Sequence, residues 1–261
     1  MILPSSVLAA KAITSLSIAA ASTLPPLWSV WLPRSSHLPG TENTIQAKLE
    51  TALSRILNEP IEVIGSGRTD AGTHARLQVV NFHCESQMTC PEILSQLRRY
   101  LPEDIGIYSC RNVSERFHAR LNAKTKTYVY RLWNSQLPCI FERKYVYKDA
   151  TPLDISRMRV AAEHLLGTHD FSAFCANKNM KKSTIRCIHR LSIEEINGEL
   201  RFTVTGNGFL HHMVRIIVGT LLEVGRGERE PDSLPELFGH DRCEAGMLVP
   251  ACGLCLMEVT Y

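Results

Sequence analysis

The sequence predicts an α+β protein built as two similar halves. Three observations carry this. The chain has 261 residues, enough for one large domain or two small ones. Apolar residues at helical spacing alternate along it with β-branched and aromatic runs of strand type. Asn197-Gly198 sits between two such runs, a type I′ hairpin signal. An α/β pattern is the alternative, with the seam near 135–150 in either case. At 44% hydrophobic and 21% charged residues, disordered and fibrous classes are excluded.

The elements follow in order. Residues 1–40 form an atypical segment, expected to be poorly ordered. Residues 12–33 are uncharged but rich in Ser, Thr and Pro, and Pro25-Pro26 excludes a spanning helix. Lys11, an apolar run and Ala19-Ala20-Ala21 mimic a secretory signal, while many serines without acids mimic a transit peptide. A third reading makes this segment foreign to the fold. The first half then spans 41–148 and the second 149–261. Ile45, Leu49, Leu53, Ile56 and Leu57 give a helix over 44–59, capped by Asn43 or Thr44. Strands follow at 61–64 and 77–84, separated by a loop over 65–75. A strand at 126–133 puts Tyr128, Tyr130 and Leu132 on one side. A helix over 152–166 precedes the hairpin of 189–196 and 199–206. An apolar helix over 209–224 stops at Gly225, and a terminal strand covers 253–261.

Net charge is +3, and two of the 29 bases, Lys11 and Arg34, lie in the acid-free first 40 residues. The rest is nearly neutral, so a globally basic nucleic-acid binder is not indicated. Two strips are basic: six bases over 111–131 (Arg111, Arg116, Arg120, Lys124, Lys126, Arg131) and five over 176–190 (Lys178, Lys181, Lys182, Arg186, Arg190). They fit a polyanion surface or, more blandly, solvated faces. Nine scattered cysteines argue against a disulfide framework and for a reducing compartment. Cys252 and Cys255 on one strand would face opposite ways and hold no metal together.

Three stretches carry chemistry. Residues 65–75, GSGRTDAGTHA, form a glycine-rich loop after a strand, without the lysine and helix of a nucleotide-triphosphate cradle. An aspartate, Asp70, beside Arg68 on such a turn can be held ionised and nucleophilic, or can simply cap the turn. Residues 124–130, KTKTYVY, place aromatics among lysines, as for base stacking or as an ordinary strand. Residues 206–219, GNGFLHHMVRIIVG, bury Arg215 in an apolar helix, where it needs an anionic partner. His211 and His212, adjacent on a helix, would diverge by about 100° and not chelate together.

These stretches resemble the TruA-type tRNA pseudouridine synthases, through the loop G-R-T-D-A-G-x-H, the K-x-Y-x-Y strand and the G-N-G-F-L-H-H-M-V-R-I-I-V-G-T-L-L-E-V-G helix. The likeness covers roughly 43–261 and includes Phe117-His118-Ala119-Arg120, His169-Asp170-Phe171-Ser172-Ala173-Phe174 and Pro250-Ala251-Cys252-Gly253-Leu254. The family's Tyr-Asp-Gly strand, which precedes its first helix, has no counterpart in 24–40. The resemblance implies the pseudouridine synthase fold, two α/β halves with mainly antiparallel sheets related by a pseudo-twofold, with the active-site cleft between them. It implies isomerisation of uridine to pseudouridine at positions 38–40 of the tRNA anticodon stem-loop. It also implies no metal, nucleotide or redox cofactor, a homodimer, and a bacterial-type cytoplasmic enzyme. An organellar one, mitochondrial or plastid, stands behind it if 1–40 is a transit peptide. A catalytically inactive tRNA-binding or tRNA-folding protein of the same fold is the rival.

By the same resemblance, Asp70 is the nucleophile, attacking sugar or base, and Arg215 is its ion-pair partner. Tyr128 stacks on the target uracil and assists proton removal from C5. Arg68 helps extrude the base and fills its place. Leu254 packs under it. His74, His118, Arg120, Lys126, Asn207, Phe209 and His212 complete the substrate-binding set.

Overall fold

The computed structural model describes residues 12–20, 44–177 and 180–261. These fall into two compact units: 12–20, 44–68 and 78–122 in the first, and 69–77, 123–177 and 180–261 in the second. Both are α+β.

In the first unit, β1 (Ala12–Ala20) pairs antiparallel with β4 (Ile105–Val113), Leu16 opposite Cys110. The strand order is β4-β1-β3, where β3 is His74–Cys84, and the short β2 (Ile64–Gly65) flanks β3. Helices α1 (Ile45–Leu57) and α2 (Cys90–Tyr100) supply the other layer. The core joins Leu16, Leu49, Leu53, Phe82, Ile93 and Leu97. The Thr44 hydroxyl caps α1 by accepting from the Ala47 N–H at 3.0 Å, as expected. Asn58 ends the helix with φ +55°, a left-handed stop that asparagine tolerates.

Strand β1 lies in the segment read from sequence as atypical. Its polar–apolar run (Thr14-Ser15-Leu16-Ser17-Ile18) is short and uncharged, so it reads equally as a leader or a strand. Partners distant in sequence, in β4, decide the matter. Helix α2 and strand β4 also lie outside the sequence reading. Only Ile93 and Leu97 of α2 are buried, too few for a clear period; its start is fixed instead by the Thr89 N–H donating to Glu92 at 2.7 Å.

In the second unit the order is β3-β10-β5-β9-β8-β7, with all neighbours antiparallel except β10 and β3. Here β5 is Thr125–Trp133, β7 Gly167–Asp170, β8 Ile185–Ile196, β9 Glu199–Gly206 and β10 Leu254–Thr260. The two-residue β6 (Tyr147–Lys148) runs parallel beside β5. The expected hairpin is present, with Asn197 at φ +53° and Gly198 at φ +80°, as a type I′ turn requires. Helices α3 (Ile155–Glu163) and α4 (Met213–Gly225) pack together. Every residue of α4 except Glu223 is buried.

Three details differ from the sequence reading. Helix α4 starts at Met213, four residues after the expected start, leaving His211 and His212 in front of it. It ends with Gly225 as its last residue, one beyond the expected Val224, with Arg226 as C-cap and Gly227 next at φ +76°; a Cβ on Gly225 would meet Met158 Sδ at 2.5 Å. Cys252 lies in a 3₁₀ turn (Ala251–Gly253) and only Cys255 lies on β10, so they do not share a strand.

Candidate active site

Helix α4 delivers Arg215 into the second unit at 9% exposure. Its Nε donates to the Val249 carbonyl at 2.8 Å, and its Nη1 donates to Asp70 Oδ2 at 2.8 Å. The buried cation therefore has the anionic partner it requires, 145 residues away in sequence. Asp70 stands on the glycine-rich loop just before β3. The Thr73 N–H closes the turn onto the Asp70 carbonyl at 3.0 Å, and Gly72 adopts φ +80°, so a tight turn presents the carboxylate.

The two histidines also converge here, which overturns the expectation that they diverge. They precede α4 rather than riding on it, and His212 takes the left-handed conformation at φ +63°, ψ +6°. That turn brings the rings to 3.7 Å centroid separation. His212 Nε2 lies 3.2 Å from Asp70 Oδ2, and His211 Nε2 lies 3.9 Å from Oδ1. Extending helical geometry through both residues hides this pairing in the sequence. The loop-forming Gly206-Asn207-Gly208 just upstream is the available signal that the helix starts late.

Burial alone would raise the Asp70 pKa. Hydrogen bonding and charge from His212, then from Arg215, outweigh it, and the carboxyl titrates below its ordinary value. Asp70, His211 and His212 place one oxygen and two nitrogens within 4.8 Å of one another, a donor set of the kind transition metals take. Arg215 already occupies Oδ2, and its fixed positive charge opposes a metal ion there.

Tyr128, on β5, is buried, with its ring edge-on to Phe209 at 5.2 Å. Burial, and next the Asp70 charge, push its phenol upward, so it stays protonated. Leu254 is buried on β10 opposite Tyr130. Lys126 is half-buried on β5 opposite Gly206. Asn207 is occupied locally: its N–H and side-chain oxygen clamp Cys187 of β8 at 3.1 and 3.0 Å. His74 is buried, with Nε2 3.2 Å from the Lys144 carbonyl and its ring against Tyr145; burial lowers its pKa.

In the first unit, His118 Nδ1 accepts from the backbone N–H groups of Arg120 and Leu121 at 3.1 and 3.2 Å, holding a turn. Arg120 and Arg68 are both exposed. Partial burial, and next the charge of Arg68, lower the Arg120 pKa, so two cations stand near each other.

The basic strips fare unevenly. Arg131 is forked onto Glu199, with two bonds of 2.7 Å, so it does not belong to an anion-binding strip. Arg190 pairs with Glu194 at 3.7 Å. Lys181 and Lys182 are exposed, and Lys178 lies outside the described residues.

Comparison with known proteins bears on this constellation. A family model described as tRNA pseudouridine synthase matches residues 161–261. The tRNA pseudouridine synthase A 1 of Clostridium tetani is 48% identical over 219 residues, 84% of this chain and 89% of that protein. The tRNA pseudouridine synthase A 2 of a Bacillus cereus strain is 42% identical over 226 residues, 86% of this chain and 92% of that protein. The tRNA pseudouridine synthase A of a Bacillus species is 45% identical over the same coverage.

Proposed function

The chain belongs to the tRNA pseudouridine synthase family, and from that premise we propose that it isomerises uridine to pseudouridine at positions 38–40 of the tRNA anticodon stem-loop, with Asp70 as nucleophile. The reaction breaks the N1–C1′ bond, turns the uracil and forms a C5–C1′ bond. A proton leaves C5 and N1 gains one, so the sum of atoms is unchanged. The observation that carries the reading is the Asp70–Arg215 pair, a carboxylate held ionised at 2.8 Å by a buried guanidinium.

The geometry supports the other roles. Tyr128, protonated and edge-on to Phe209, offers a stacking face to the extruded uracil and a hydroxyl to the C5 proton transfer. Leu254 packs beneath that base. Arg68 and Arg120 of the first unit, and separately Lys181 and Lys182 of the second, are exposed cations available to RNA phosphates. Unpairing costs a few kcal/mol, and phosphate contacts offset it. His74, His118 and Asn207 shape the loops that bind RNA by the local bonds described above.

The protein acts as a homodimer in the cytoplasm. The loop holding Leu137, Ile140 and Phe141, at 71%, 63% and 96% exposure, supports dimerisation as an apolar surface for a second copy. Nine free thiols fit a reducing compartment. Among the described residues, no helix is long and apolar enough to cross a membrane.

The test is pseudouridine mapping of a tRNA transcript by carbodiimide-dependent primer-extension stops. Stops at 38–40 are expected with the wild type and none with Asp70→Ala. Wild-type protein that binds tRNA and leaves it unmodified would sink the catalytic reading and leave the inactive RNA-binding one.

A further inference from the structure

Resting on the reading of Asp70 as nucleophile, we infer that His212 is a positioning residue: with Arg215 it loads one carboxylate oxygen, Oδ2, and so leaves Oδ1 as the oxygen turned toward substrate. The geometry is asymmetric. Arg215 Nη1 and His212 Nε2 lie 2.8 and 3.2 Å from Oδ2. On the other side, His211 Nε2 stands 3.9 Å from Oδ1, beyond hydrogen-bond range. His211 is also the more open ring, its side chain 53% exposed against 19% for His212. Oδ1 therefore lies beside the more exposed ring and Oδ2 beside the more buried one.

The backbone at His212 supports a dedicated role. A non-glycine residue at φ +63° is uncommon and costs energy. Position 212 is also the N-cap of α4, yet the histidine side chain makes no capping bond to the helix. Strain and a forgone cap are not what helix stability selects. Both are accounted for if the side chain is needed at Asp70 instead.

The ring engages Asp70 through one nitrogen only. His212 Nδ1 is buried and without a hydrogen-bond partner among the described residues. Nε2, facing Asp70, is therefore the nitrogen whose N–H is used, and His212 acts as a donor. Two donors on one oxygen also fix the carboxylate's rotation about its Cβ–Cγ bond, and misplacing a reacting atom by about 1 Å can cost on the order of 10²-fold.

The groups facing Asp70 are His211, His212, Arg215 and, through its charge, Tyr128. Loss of His212 should raise the pH at which Asp70 titrates, because its hydrogen bond opposes the effect of burial.

The discriminating pair is His212→Gln and His212→Met in the full chain. Both carry the same backbone cost, and both are about as long as the imidazole reach. Only glutamine carries an N–H near the Nε2 position. Turnover is read as tritium released from tRNA labelled at uridine C5, across pH. His212→Met is expected to lower kcat on the order of 10²-fold with KM near wild type, and to move the acid limb of kcat to higher pH. His212→Gln should recover at least about tenfold of that loss. Should His212→Met fail to fold, His212→Gly takes φ +63° freely, lacks the donor and must behave as stated for methionine. Met or Gly at wild-type kcat with an unmoved acid limb overturns the inference, as does Gln no faster than Met. Inactive wild-type protein would instead defeat the pseudouridine reading itself.

Discussion

At the scale of single residues, Asp70 ties stability to pH. Its folded pKa lies below the ordinary value of 3.8, because His212 and Arg215 outweigh the opposing effect of burial. A depressed carboxylate contributes stability that is complete above the unfolded pKa and lost as pH falls through the folded one. Wild-type protein should therefore lose stability more steeply than Asp70→Asn below about pH 3.8, as read in urea melts across that range and at neutral pH. Parallel losses would remove the linkage. Tyr128 leads to a second expectation. Its phenol is held protonated by burial and by the Asp70 charge, so in the role proposed for it the ring would stack while the hydroxyl serves the proton step. Tyr128→Phe should bind tRNA normally and turn over about 10²-fold more slowly, measured as Kd by filter binding against kcat by tritium release. A fall in affinity with unchanged kcat would reverse that division. Sequence alone exposes the need of Arg215 for an anion, because a guanidinium amid Ile, Val and Leu has few solutions. It hides the convergence of His211 and His212, which depends on one backbone angle, and the capture of Arg131 by Glu199, which lies across a strand pair 68 residues away.

At the scale of elements, α4 is limited by backbone clearance rather than by side-chain choice. A Cβ on Gly219 would stand 1.9 Å from the Met247 carbonyl oxygen, which is backbone and has little room to retreat. Gly219→Ala should destabilise the protein by about 3 kcal/mol, seen as a lower midpoint in chemical denaturation with α4 still helical by circular dichroism; an unchanged midpoint would mean that the 246–249 segment moves at little cost. In the first unit, Leu16 is fully buried in the core. Leu16→Ala should cost roughly 2–5 kcal/mol if Ala12–Ala20 is an integral strand, and nothing if that segment is an appendage; the same denaturation experiment reads it. Long elements with clean periods, α1, β5, the 185–206 hairpin and α4, are legible in the sequence to within a few residues. Helix α2 and strands β1 and β4 are not. The buried residues of α2 are few, β1 reads equally as a leader or a strand, and the identity of the strands is settled by partners far away in sequence.

At the scale of the whole molecule, the proposed dimer would rest on a surface rather than on the site. Phe141 is almost wholly exposed, and Phe141→Asp should shift sedimentation from dimer to monomer without lowering the melting temperature; a dimer that persists would move the interface elsewhere. The order of the second unit's sheet has a consequence for biosynthesis. Strand β10 fills the position between β3 and β5, although its residues come more than a hundred positions after both. On the ribosome, the gap between those strands stays open while residues 134–260 are added, roughly 6–25 s at ~5–20 residues per second. Two unpaired strand edges are presented for that time to any passing chain. The demand this places on a cell is therefore chaperone occupancy per molecule made, which growth temperature and translation speed set more than the protein's equilibrium stability does.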